Sequence, residues 1–149
     1  MKNLIWSIVF ILCIIGCSVS PQPMEYGVDV CYYCSMTVVD QQHGAQLVTA
    51  KGRAYKFDAI ECMINQMKEM EDTEMGLFLI NDYRNPGKLI DATSATFLIS
   101  PGIPSPMGAN LSGFSKSDDA FKAEEQFAGE TFDWEGILTH FAGRKAGIQ

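Results

Sequence analysis

The sequence is short of positive charge. Eleven Lys and Arg residues stand against 18 Asp and Glu, a formal net charge of −7, and the basic residues form no cluster. Such a surface is repelled by phosphate backbones, so no nucleic-acid partner is expected. There is no Walker loop, GxSxG elbow, HExxH pair or dinucleotide fingerprint, which removes the common signatures of phosphate, acyl-transfer and zinc-protease chemistry. Imidazole is scarce as well: His43 and His140 are the only histidines, and no second CxxC exists to complete a four-ligand zinc knuckle. The long apolar run, Leu4–Gly16, falls short of the ~20 residues of a spanning helix.

That run follows Lys2 and has the pattern of a secretory signal peptide. Its end, Ile14-Ile15-Gly16-Cys17, resembles a bacterial lipobox, in which cleavage before the cysteine is coupled to lipidation. Residues 1–16 are therefore expected to be a lipoprotein signal peptide and Cys17 the lipidation site. A plain signal peptide is the alternative. Residues 17–29, with Pro21 and Pro23, read as a tether. The expected location is extracytoplasmic, anchored to the membrane at the periplasmic face of the cell envelope, because two or more acyl chains hold a protein stably. About 120 residues remain for one domain or two small modules.

Five cysteines are present. Cys13 departs with the signal and Cys17 takes the lipid, leaving Cys31, Cys34 and Cys62. Three cysteines cannot all pair within one chain, although an oxidising compartment favours pairing. At least one thiol has another use or is a buried bystander.

"AQLVTAKGRAYKFD" reads as a hairpin turning at Lys51-Gly52. Asp58 is a candidate N-cap, with Glu61 in the capping-box position, for a helix "AIECMINQMKEME". Ile60, Met63, Ile64, Met67 and Met70 form its apolar stripe, with the methionines as core filler. A strand "LFLINDY" follows Gly76, giving β-β-α-β. A looser second copy runs through "ATFLIS", a Pro/Gly-rich loop, a short strand near Leu111–Phe114, a helix "DAFKAEEQFA" capped by Ser117 or Asp118 and ended by Gly129, and a strand "ETFDW". A last helix spans about Glu135 to Phe141. The expected class is α+β: two β-β-α-β modules with antiparallel-rich sheets, at about 30–88 and 89–149.

The stretch "CYYCSM" places Cys31, Cys34 and Met36 in one short segment. A Cys31–Cys34 disulfide is sterically possible but leaves Met36 unexplained. A thioredoxin-like pair needs a helix after the second cysteine, whereas "SMTVVD" is strand-prone. Copper(I) fits best, being a soft ion that accepts thiolate and thioether together. On an extended chain Cys34 and Met36 would point to the same side. Met107, in the irregular "SPMGA", is either a plug over the core or a positioned thioether. Cys62 falls off the apolar stripe in the first helical turn, where the dipole favours a thiolate, and is a candidate auxiliary ligand. His43 reads as a surface-loop residue. Asp40, Asp58 and Glu61 read as turn, cap and capping-box residues.

Taken in order, the lipobox cysteine, "CYYCSMTVVD", "GAQLVTAKGRAYKFDAIECM" and "SPMGANLSGF" resemble the NosL family of copper-binding lipoproteins. The resemblance implies a paired β-β-α-β fold similar to part of the organomercurial lyase MerB. It implies a Cu(I) chaperone, not an enzyme, that delivers copper for assembly of nitrous-oxide reductase centres with the NosDFY ABC transporter. By position, the ligands would be Cys31, Cys34, Met36 and Met107. Two departures stand out: no histidine lies inside the motif, and Ser35 replaces the more usual glycine. The alternative is an extracytoplasmic thiol–disulfide oxidoreductase or a MerB-like thiol enzyme.

Overall fold

The computed structural model describes residues 18–143. The expected signal peptide, residues 1–16, and Cys17 lie outside the described residues. Among those described, no helix is long and apolar enough to cross a membrane.

Strands β1 (Ala45–Thr49) and β2 (Ala54–Phe57) form the expected hairpin, and Gly52 takes the positive φ of 82° that the turn requires. Helix α1 (Ile60–Glu69), β3 (Met75–Asp82) and β4 (Asn85–Asp91) follow. The second half comprises β5 (Thr96–Ile99), β6 (Leu111–Phe114), α2 (Ser117–Phe127), β7 (Glu130–Phe132) and α3 (Trp134–Ala142). The strands make two antiparallel sheets, ordered β2-β1-β3-β4 and β6-β5-β7. The class is α+β, as expected. Strand β4 was not foreseen, because Pro86 and Gly87 interrupt its pattern.

On α1, Ile60, Met63 and Ile64 are fully buried while Met67 and Met70 lie partly buried at the core margin. Leu47, Phe57, Ile80, Phe97, Leu111 and Ile137 complete the main core. The sheets meet where Tyr83 N–H donates to the Gly113 carbonyl at 2.8 Å. Gly113 has no room for a side chain, since a Cβ would stand 2.2 Å from Ile80 Cδ1 and 3.4 Å from Ile60 Cδ1. This close approach lays β6, and the loop leading into it, over the first turn of α1.

The tether reading needs correction from Val19 onward. All of β1 is buried, although only Ala45 and Leu47 of its first four residues belong to the core cluster. Its other face is covered by the N-terminal segment. Gln46 accepts from the Gln22 N–H at 2.8 Å and donates to the Gln22 carbonyl at 2.9 Å. Asn81 donates to the Tyr26 hydroxyl at 2.7 Å, and Val19 packs over Gly76.

Candidate metal centre

Residues 30–37 form a tight turn closed by an antiparallel bridge between Val30 and Thr37. Cys31 N–H donates to the Met36 carbonyl at 2.7 Å, and Ser35 N–H to the Cys31 carbonyl at 2.9 Å. Ser35 sits at φ 64°, a left-handed conformation that glycine adopts freely and that costs another residue about 1 kcal/mol. This is a physical reason for glycine to be the more usual residue there. It also overturns the extended-chain argument: with Ser35 left-handed, strand alternation does not align Cys34 with Met36. No helix follows Cys34, as the strand-prone sequence indicated.

The turn is fastened to β2. Tyr32 N–H donates to the Lys56 carbonyl at 2.9 Å, and Lys56 Nζ pairs with Asp29 at 2.7 Å. Two residues beyond Lys56 the chain reaches Asp58, and α1 then presents Cys62. One donor atom from each of Cys31, Cys34, Asp58 and Cys62 lies within 4.8 Å of all the others. The structure thus brings together all three cysteines remaining after Cys17, and all three thiols are free. Cys31 and Cys62 are buried and Cys34 half-buried.

Asp58 is the residue that sequence reasoning missed. It is not a cap: the N-cap of α1 is Ala59, with no side-chain hydrogen bond to the helix end. Instead the Cys34 thiol donates to Asp58 Oδ1 at 3.4 Å, and Oδ2 is buried without a partner. An unpartnered buried carboxylate oxygen costs about 1–3 kcal/mol, so the pocket is poised for a cation. The four-residue spacing from Asp58 to Cys62 was a readable signal, but the capping pattern explained Asp58 more cheaply. The fourth donor also corrects the case against zinc, which rested on a shortage of ligands. Three thiol donors suit copper(I) and zinc alike.

The three thiols differ sharply. Cys31 is lowered to about 6, chiefly because the Cys62 thiol donates to it, with burial opposing and the Cys34 backbone N–H assisting. Cys34 is raised to about 11, first by burial and then by its neighbours Cys31 and Asp58. Cys62 is raised further, because the Cys31 thiolate holds its proton, burial adds to this, and nearby charges repel a second anion. The neighbours thus favour deprotonation at Cys31 and hold the protons on Cys34 and Cys62.

Glu61, His43 and His140 fall outside the cluster. Met36 and Met107 are 51% and 41% exposed. Glu61 is not a capping-box residue. Its Oε1 accepts from the Ser105 hydroxyl and from the Ala109 N–H, and burial holds its carboxyl above the usual carboxylate range. His43 is not on the surface but 3% exposed. Its Nδ1 meets Asp40 at 2.9 Å and its Nε2 meets Ser112 at 3.1 Å, so both ring nitrogens are engaged. His140, in α3, packs edge-on against Phe132 of β7.

A sequence model of NosL matches residues 25–141 of the chain. Among solved structures, the chain is similar to the crystal structure of the copper chaperone NosL from Shewanella denitrificans, with 19% identity and a TM-score of 0.63. The match covers 77% of this chain and 96% of that one, and at that identity it speaks for the fold. No curated protein matches.

Proposed function

The chain belongs to the NosL family, and from that premise we propose that it is a copper(I) chaperone rather than an enzyme. The observation that carries the reading is the convergence of three thiols and one carboxylate from two separated segments. Three sulfurs match a soft monovalent ion, and bringing them from distant points sets their spacing before the ion arrives. Cys34, the half-buried thiol, is the point of access, and the buried Cys31 and Cys62 lie behind it. The exposed thioethers of Met36 and Met107 offer ligands that bind without losing a proton. An ion held at the rim can accept a partner's ligand before releasing its own, so transfer proceeds through a shared intermediate. A difference of about 1.4 kcal/mol between donor and acceptor then biases delivery tenfold.

The sequence-level resemblance supplies the setting. The chaperone is anchored through lipidated Cys17 on the extracytoplasmic face. It passes copper to a NosDFY-type transporter complex for assembly of nitrous-oxide reductase. The −7 net charge suits a cation carrier.

The test is competition with a chromophoric Cu(I) chelator, using fully reduced wild type against a Cys31→Ser/Cys34→Ser/Met107→Leu variant, with Zn(II) as the second titrant. Wild type is expected to hold Cu(I) at least about a hundredfold more tightly than the variant and to retain it against Zn(II). Equal retention by the two proteins overturns the reading. Turnover of a disulfide or organomercurial substrate that depends on these cysteines would replace it with the thiol-enzyme reading.

A further inference from the structure

Met107 lies in the Pro/Gly-rich loop between β5 and β6, and that loop is tied to one side chain. The Ser105 hydroxyl and the Ala109 N–H, the latter at 3.3 Å, both donate to Glu61 Oε1. Within the loop, the Asn110 N–H donates to Ser105 Oγ at 2.8 Å, and the Gly108 N–H to the Ser105 carbonyl at 3.0 Å. Both shoulders of Met107, two residues before it and two after, therefore meet on one carboxylate oxygen. The tip has little else to hold it. Met107 is 41% exposed, and nothing lies within 4 Å of where a side chain on Gly108 would begin.

The anchor's own position matters. Glu61 immediately precedes Cys62 and follows Asp58 by three residues, so it stands within the short segment that supplies two of the four donors. It is 3% exposed, and its Oε2 has no hydrogen-bond partner. A buried carboxylate is an expensive way to pack a helix. Its placement is explained by the loop it holds.

We infer that Glu61 is a positioning residue of the sulfur site, holding the Met107 loop against the start of α1, between Asp58 and Cys62. The loop that carries the thioether is thereby tied, before any ion arrives, to the segment that supplies two of the donors. This rests on the proposed ligand role of Met107 and deepens it.

The test uses the full chain with Glu61→Asp, which keeps the charge but loses reach, Glu61→Gln, which keeps the reach and an acceptor oxygen, and Ser105→Ala, which cuts the loop's side of the contact. In metal-free protein, Glu61→Asp and Ser105→Ala should speed amide exchange at Ala109 and Asn110, while Glu61→Gln stays near wild type. With Ag(I) as a diamagnetic probe, the Met107 methyl NMR response should fade in the first two variants and survive in the third. Cu(I) affinity should drop about tenfold in Glu61→Asp but not further when Met107→Leu is already present, since coupled residues are non-additive. Unchanged exchange, or full additivity with Met107→Leu, overturns the proposal. Wild-type affinity in Met107→Leu alone would sink both readings. That result is told apart from failure of the anchor alone, because the exchange measurement needs no metal.

Discussion

At the residue scale, three identical side chains acquire three different protonation behaviours from their neighbours. Cys31 is lowered to about 6 by the hydrogen bond from Cys62, and burial raises Cys34 to about 11. Metal capture must displace whichever thiol protons remain, so affinity rises with pH. Between about pH 7 and pH 9, log K should climb by about one per pH unit for each protonated thiol that becomes a ligand. The slope is two if Cys34 and Cys62 both bind and one if only one does. Chelator competition at several pH values reads it directly, and a flat profile would mean that Cys31 alone engages the ion. Cysteine parity was enough to single out these residues, because an odd number cannot pair off. Asp58 was hidden, since an aspartate before an apolar helix is an ordinary cap and only the folded turn of residues 30–37 reveals another partner.

At the scale of elements, the α1 stripe, the hairpin and the order of the second half were legible because each follows a local periodicity or a strong breaker. Gly129 illustrates the breaker. It marks the end of α2, where the chain passes through Ala128 at φ 58° and Gly129 at φ 136°. A Cβ at Gly129 would come within 2.3 Å of the Ile99 carbonyl oxygen, which is backbone and cannot rotate away. Gly129→Ala is expected to cost about 3 kcal/mol or more, combining backbone strain and overpacking. Chemical denaturation reads this as a lower midpoint at unchanged slope. Strand β4 was not legible, because Pro86 and Gly87 read locally as loop and only pairing with β3 makes Asn85–Asp91 a strand. The Met107 loop was recognisable as irregular, yet its attachment to Glu61 spans 44 positions and leaves no local trace.

At the scale of the whole molecule, the N-terminal segment is part of the domain. Residues 19–26 cover the face of the first sheet that carries Gln46 and Asn81. Starting the chain at Gly27 would expose that face and sever these hydrogen bonds. The expected loss is at least about 2 kcal/mol, from a few bonds near 1 kcal/mol each plus uncovered apolar area. Thermal unfolding of the shortened chain checks it, and an unchanged Tm would restore the tether reading.

The sequence by itself determined the class, the order of the elements apart from β4, and which sulfur residues were candidates. Each rests on composition, on local periodicity, or on the arithmetic of five cysteines. Tertiary structure alone decided that Cys62 turns toward Cys31 and Cys34, that Asp58 joins them, and that His43 is engaged elsewhere. Those outcomes depend on contacts between residues far apart in the chain, and short-range spacing carries no information about which distant groups will meet.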